Sequence, residues 1–453
     1  MEKNTIINDK DQLIEWFMEA CKPKNKWMVG TEHEKFAYTF SKQKKRYIPL
    51  EYFGSHGIKT FLTELSKHGW TPIYEEENII ALKKKSQSIT LEPGGQIELS
   101  GAPLKNLHST CRETNEHLKL LKEVGSKLGI LLVGLGVRPN ETLQEVPLMP
   151  KARYKIMRSY MPSRGSRGLE MMHSTCTVQA NLDFESEEDM IKKTRLAVKL
   201  QPVVTALFAN SPFYMGDFNG YESLRKHIWT DTDPDRCGIL EIALEDNFSF
   251  SQYVNYALSV PMYFIVRDNN YLNCAGKSFL DFMSGKLDVI PDEKPTIADW
   301  ENHLSTIFTE VRLKKIIEVR GADAGNWRRT CALPAFWVGL LYGNNSINLA
   351  EKICENWTQD DIEKLSVDVA KVGLGAEIKK EKVFYIASEL LNIARKTLLE
   401  REVLDSVGND ETGYLDVLEE TLQNKASPAR DLINNFSSTY KNNMEKLIEE
   451  ISY

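Results

Sequence analysis

Four segments of the chain carry acids, amides and hydroxyls at every second position. VGTEHEKF (29–36) sets Glu32 and Glu34 on one side, and LEPGGQIELSGAP (91–103) sets Gln96, Glu98 and Ser100 opposite Ile97 and Leu99, with Glu92 just before a Pro-Gly-Gly bend. STCTVQANLDF (174–184) sends Thr175, Thr177, Gln179, Asn181 and Asp183 one way and Cys176, Val178, Ala180, Leu182 and Phe184 the other. IIEVRGAD (316–323) opposes Glu318 and Arg320 to Ile317 and Val319. Side chains alternate across a strand, so each segment reads as a strand with one apolar and one polar face. The plain reading of each is an antiparallel sheet with one wet face. A solvated face is usually rich in lysine and mixed charge, whereas these carry Glu, Gln and Asn.

If the polar faces converge, two carboxylates about 4 Å apart repel by about 4 kcal/mol at an effective dielectric of 20. A divalent cation removes the conflict. All-oxygen ligands favour Mg²⁺, with Mn²⁺ as the other choice, over Zn²⁺. Mg²⁺ is normally shared with substrate phosphates, so the pattern points to nucleotide-dependent phosphoryl transfer. No GxxxxGK[ST] loop is present, and EPGGQ reads as a tight turn. Phosphates would then be held through metal and arginine. In ESLRKHIWTDTDPDRCG (222–238), Arg225 is a candidate clamp for an amino-acid carboxylate, which guanidinium grips with two parallel hydrogen bonds; a helix-surface arginine is the alternative. YKIMRSYMPSRGSRGLEMM (154–172) offers Arg158, Arg164 and Arg167 around a small-residue core expected to be mobile, and GNWRRTC (325–331) adds Arg328 and Arg329. No GxSxG or comparable triad spacing is present, which disfavours a covalent hydrolase.

The elements that must position these groups can be read more coarsely. The 453 residues are 42% hydrophobic and 27% charged, enough for a large core, with a formal net charge of −7 that argues against nucleic acid. Helical periods run near 9–21, 58–68, 104–128 and 186–208, and strand-like alternation near 28–40, 79–91, 95–100, 130–138, 174–184 and 311–320. From 360 onward the chain reads as helical. The class is α+β, with a strand-rich body (1–345) followed by a helical segment (346–453) packed on it, and without the strand–helix alternation of a doubly wound sheet. No stretch approaches the roughly 18 apolar residues that span a bilayer, and the N-terminus shows neither a signal core nor a transit pattern; a cytoplasmic protein is expected. The seven cysteines are scattered and lack CxxC spacing, so reduced, mostly buried thiols are expected.

GTEHEKF, LEPGGQIELSGAPL, MPKARYKIMRSYMP, CTVQANLDF, RKHIWTDTDPDR and EVRGADAGNWRRTCALPAFWVGLLY resemble the plant and proteobacterial type of glutamate–cysteine ligase, in order from about residue 28 to 342. The resemblance implies a glutamine-synthetase-like fold, a curved antiparallel sheet flanked by helices whose concave face binds ATP, amino acids and metal. It also implies ATP-dependent joining of the glutamate γ-carboxylate to the cysteine amine, the first step of glutathione synthesis. Carried onto matching positions, Glu32, Glu34 and Glu98 are the metal ligands, with Glu92, Gln179 and Glu318 as further ones. Arg225 holds the glutamate or the reacting carboxylate, and Arg320 faces the phosphates together with Arg328 and Arg329. Thr175, Thr177, Tyr154 and Trp229 line the amino-acid pockets. The partners are glutamate, cysteine and ATP, with no nucleic acid and no membrane, in a monomer or weak homodimer. The 160–168 loop is expected to exclude water from the acyl phosphate.

One departure from the family pattern is visible. Plant members carry redox-sensitive cysteine pairs; Cys274 matches one such position, but the partner region reads GKLDV (285–289). Two other readings stay open: a carboxylate–amine ligase with a different amine acceptor, and an inactive homologue that binds glutamate or nucleotide.

Overall fold

In the computed structural model, which describes residues 1–453, strands Val29–Ser41 (β1), Arg46–Pro49 (β2), Thr71–Glu75 (β3), Asn78–Lys84 (β4), Gln87–Leu91 (β5), Ile97–Ser100 (β6), Ile130–Val133 (β7), Thr177–Leu182 (β8), Val311–Leu313 (β9) and Ile317–Asp323 (β10) form one ten-stranded sheet. Its order is β9-β10-β8-β1-β6-β5-β4-β3, and every pairing is antiparallel. The long β1 is the hub. Residues 29–35 pair with β6 and β8, and residues 36–41 pair with β7 and β2. The α+β class and the antiparallel sheet flanked by helices are therefore as the sequence implies.

Two expected strands are hairpins instead. The 79–91 run breaks at Lys85, whose φ of 55° turns the chain between β4 and β5, and 311–320 splits into β9 and β10. Alternation continues through a tight turn, so the pattern alone does not show the break.

The apolar faces are buried under helices. Val178, Ala180, Leu182 and Val319 belong to a core of 74 buried residues that also takes in helices Glu187–Phe208 and Trp327–Leu341. That core continues through helix Val383–Glu400 to Leu422, so residues from both sides of position 345 share it. A second core gathers Leu91, Ile97 and Leu99 beneath helices Ile58–Ser66 and Leu107–Leu128. Helix Leu107–Leu128 is capped by the Asn106 side chain and ends on Gly129 at φ 67°, a left-handed position suited to glycine. No helix is long and apolar enough to cross a membrane.

The expectation of reduced thiols is corrected at one pair. Cys111 and Cys331 form a disulfide with a Cα–Cα distance of 5.4 Å, joining helices Leu107–Leu128 and Trp327–Leu341. The partners lie 220 residues apart, so only the packing of the two helices reveals them. Cys274 is buried and free.

Candidate active site

The sheet register lays the polar faces side by side in three rungs. The first runs Thr90, Glu98, Glu34, and the Glu34 carboxylate accepts the backbone N–H of Thr177 at 2.9 Å. The second runs Ser88, Ser100, Glu32, Gln179. The third runs Gly30, Asn181, Glu318, Arg312. A bulge between Val319 and Ala322 takes Arg320 out of the ladder, and bulges re-aim side chains in this way. Arg320 donates to Gln179 Oε1 at 2.5 Å and stands 3.7 Å from Glu318.

Charge divides this floor in two. Glu32, Glu34 and Glu98 each accept one hydrogen bond: from Asn181 Nδ2 at 2.7 Å, from Thr177 N, and from the Thr90 hydroxyl at 2.7 Å. None of the three has a salt-bridge partner within 4 Å. Burial, then the Glu98 and Glu318 charges, pushes Glu32 up to about 7. Burial, then Glu98 and Glu92, pushes Glu34 well up against the opposing pull of Arg225. Burial, then Glu92, raises Glu98. Glu318 behaves oppositely: against its burial, Arg312, Lys314 and Arg320 hold its carboxyl well below the ordinary range. Lys314 lies 2.8 Å from it, and Arg312 pairs with it while also donating to the Ser305 and Ile307 carbonyls.

The side walls come from helices Ala152–Tyr160, Gly168–Ser174 and Leu224–Trp229. Ser223 caps the last of these and donates to Asp323, and Ser211, also bonded to Asp323, accepts the Arg225 N–H. A strand-end carboxylate thus fixes the helix that presents Arg225. Arg225 is buried, donates to the Arg320 carbonyl at 3.0 Å, lies over the Trp229 ring, and leaves its Nε without a partner. Glu34, Glu92, Tyr154, Thr175, Thr177, Arg225, Trp229 and Arg320 line one cavity together. The Tyr154 hydroxyl lies 3.2 Å from Glu92. Thr175 and Thr177 donate their hydroxyls to the Met171 carbonyl and to the Arg320 and Ala322 carbonyls, keeping oxygen lone pairs as acceptors.

Two polar residues of this cavity, Arg153 and Gln96, were given no site role from sequence. Arg153 carries an unpartnered buried Nε, and its signal was its place beside Tyr154. Gln96 ties the Pro-Gly-Gly turn to the wall by donating to the Thr175 carbonyl at 2.9 Å, while its Oε1 accepts the Gly94 N–H. Gly94 is obligatory there, because a Cβ would lie 2.3 Å from the His173 carbonyl oxygen. EPGGQ is a turn, as its sequence indicates.

Four expectations are corrected. Arg328 is exposed and paired with Glu420 at 2.6–2.7 Å, and Arg329 is buried against the Leu207 carbonyl and the Thr421 hydroxyl. Both belong to the helix that covers the apolar side of β8, so neither reaches a phosphate on the polar face. Glu318 is paired with its own cations Arg312 and Lys314, and the Gln179 carbonyl oxygen accepts from Arg320, so neither presents a free oxygen beside the other three acids. The 160–168 segment, expected to be loose, is tied to the 231–235 turn: the Arg167 N–H donates to the Asp231 carbonyl at 2.9 Å and Arg164 to Asp235 at 2.5 Å.

No three His, Cys, Asp or Glu side chains form a finished metal cage. The donor chemistry of Glu32, Glu34 and Glu98 nevertheless fits a hard cation. They are neighbouring carboxylates without a salt-bridge partner, each with a single hydrogen bond, and Mg²⁺ completes its shell from water and substrate rather than from protein alone.

The sequence model of "Glutamate-cysteine ligase family 2 (GCS2)" matches residues 28–450. Over 444 residues, 98% of this chain, it is 47% identical to "Glutamate--cysteine ligase B, chloroplastic" of Oryza sativa subsp. japonica, covering 87% of that protein. Over the same share it is 47% identical to the chloroplastic glutamate–cysteine ligase of Nicotiana tabacum and 45% identical to that of Arabidopsis thaliana, each covered over 83%. Among solved structures, the glutamate–cysteine ligase of Francisella tularensis in complex with AMP superposes with a TM-score of 0.58 at 12% identity, over 95% of this chain and 88% of that one, which shows the shared fold. The expected cytoplasmic placement is overturned by these relatives, whose plant members are all chloroplastic.

Proposed function

The chain belongs to glutamate–cysteine ligase family 2, and from that premise we propose how its residues carry the reaction. That reaction is the ATP-dependent joining of the glutamate γ-carboxylate to the cysteine amine, the first step of glutathione synthesis. The observation that carries the assignment of roles is the divided floor: three uncompensated carboxylates on neighbouring strands, next to an arginine held between an amide and a neutralised glutamate.

Arg225 and Arg153, which both line the cavity, clamp the carboxylates of glutamate. The hydroxyl oxygens of Thr175 and Thr177 accept from its ammonium, and the Trp229 ring lies 5.6 Å from the Arg225 guanidinium. Arg320 faces the transferring phosphoryl group, where positive charge stabilises the charge that develops. Glu32, Glu34 and Glu98 hold Mg²⁺, which when bound neutralises phosphate charge. The γ-carboxylate of glutamate takes the γ-phosphoryl group of ATP and ADP leaves. The cysteine amine then attacks the acyl carbon, displaces phosphate and loses its proton. Tyr154, Met157 and Met172 wall the cavity against water, which would otherwise hydrolyse the acyl phosphate.

The test is phosphate release from ATP, Mg²⁺ and glutamate against a panel of amines. Release that depends on cysteine supports the reading. Release with a different amine alone moves the chain to another acceptor, and no release with any amine overturns the ligase assignment.

A further inference from the structure

Arg138 does not line the carboxylate-lined cavity, yet it holds the backbone of two of its walls. One wall is the Pro-Gly-Gly turn, residues 93–95, between Glu92 and Gln96. The other is the end of helix Gly168–Ser174, where Met171, Met172 and Thr175 meet the cavity. Arg138 follows β7 on a segment laid against this second wall. Val137 bridges to Thr175, and the Arg138 N–H donates to the Ser174 carbonyl at 3.0 Å. Its Nε donates to the His173 carbonyl at 3.1 Å, and its Nη2 crosses to the Gly94 carbonyl on the first wall at 2.5 Å. Two segments distant in sequence thus share one planar cation.

The setting of this cation is unusual. Arg138 is 1% exposed and makes no ion pair; Glu141, buried as well, feels its charge without pairing with it. Buried charge is costly unless hydrogen bonds or an opposite charge meet it. Here the two carbonyls meet it, together with the Phe36 and Tyr38 rings, whose centroids lie 4.5 and 5.6 Å from the guanidinium carbon. Carbonyl oxygens that converge on one group repel each other. A guanidinium removes that repulsion, and its rigid fork fixes their separation, which a flexible ammonium or a single amide does not. Gln96 ties the same walls from the cavity side, donating to the Thr175 and Met172 carbonyls at 2.9 and 3.3 Å. Arg138 holds them from behind, out of reach of substrate.

We propose that Arg138 is a positioning residue for the glutamate end of the cavity. By holding the Gly94 and His173 carbonyls on one guanidinium it sets the gap between Glu92 and Thr175. The inference rests on the reading that this end takes glutamate, with the Thr175 oxygen accepting from its ammonium. Arg320 stands on β10, to which the Arg138 side chain makes no hydrogen bond, so the phosphate end is not set by this clamp.

Initial rates of phosphate release by the full-length protein, with ATP, Mg²⁺, glutamate and cysteine, separate the outcomes. Arg138→Gln reaches one carbonyl at most. Its KM for glutamate should rise about tenfold or more, since small displacements of positioning groups are strongly felt. Its KM for ATP should change by less than about twofold. Arg138→Lys keeps the buried charge without the fork, so its glutamate KM should fall between those of wild type and Arg138→Gln. A merely structural role predicts the reverse split: less folded protein lowers kcat per mole of chain and leaves both KM values unchanged. Where Arg138→Gln does not fold, Arg138→Lys alone decides. The proposal is overturned if the folded variants keep a glutamate KM within about twofold of wild type, or if the KM for ATP rises in step. Failure of the ligase reading looks different: wild type itself releases no phosphate, or releases it without glutamate, and Arg138 then has no glutamate end to position.

Discussion

Glu34 and Glu318 sit on the same polar face of one sheet, two strands apart, yet they are in opposite electrostatic states. Around Glu318 the fold supplies its own counter-charge. Arg312 lies directly across the β9–β10 hairpin, Lys314 lies in its turn, and Arg320 follows two residues on. Around Glu32, Glu34 and Glu98 the fold supplies hydrogen bonds but no cation in direct contact. One end of the floor is finished by folding, and the other stores unfavourable charge that a ligand can relieve. The uncompensated end is where binding free energy can be coupled to chemistry, because folding alone does not relieve it.

The sharpest way to break this comparison is at the finished end. Glu318→Gln strands Arg312 and Lys314 in a buried setting, and loss of one partner of a buried pair typically costs about 3–5 kcal/mol. The urea midpoint should fall accordingly, with activity falling as a consequence. A variant as stable as wild type would show that Glu318 is not a structural counter-ion. The next largest effect lies at the other end. Glu98→Gln removes a carboxylate crowded by Glu34 and Glu92. Turnover should drop on the order of a hundredfold through loss of metal-held charge stabilisation, while the metal-free protein melts at the same temperature or higher. A lower melting point with near-normal turnover would reverse the roles given to the two ends.

Much of the floor was legible because the strand period is exact enough to sort side chains by face: Glu32, Glu34, Glu98, Gln179, Glu318 and Arg320 do share one. The neutralisation of Glu318 was not legible, because it depends on hairpin register, and register is a tertiary fact. Arg328 and Arg329 follow the β10 segment closely in sequence, but the chain turns at Asn326 into a helix on the other side of the sheet, so proximity in sequence misled. The disulfide was hidden for the same reason, since Cys111 and Cys331 meet only when their helices pack. The pocket walls were partly legible. Arg225 and Trp229 stood out by type, while Gln96 needed the turn geometry to show that it fastens one wall to the floor.

The smallest expected effect separates the two ends by pH. Glu32 has a folded value of about 7 against an ordinary 4.5, so its contribution to stability is fully present below about 4.5 and is lost as pH rises through about 7. Glu34 and Glu98 are raised as well and act in the same direction. Glu318 is lowered, so its contribution is present above the ordinary carboxylate value and is lost only as pH falls below it. Between pH 5 and 8 the finished end is therefore silent, and Glu32, Glu34 and Glu98 each lower the stability of the metal-free protein as pH rises, against the opposite contribution of the buried histidines His33, His117, His173 and His303. After water entry and relaxation the change attributable to Glu32 should be of order 1 kcal/mol. The urea midpoint of wild type should fall relative to that of Glu32→Gln as pH rises across that range, and added Mg²⁺ should reduce this relative fall. If the two pH curves run parallel with and without Mg²⁺, Glu32 carries no stored charge, and the contrast between the two ends is lost at the residue where it is read most directly.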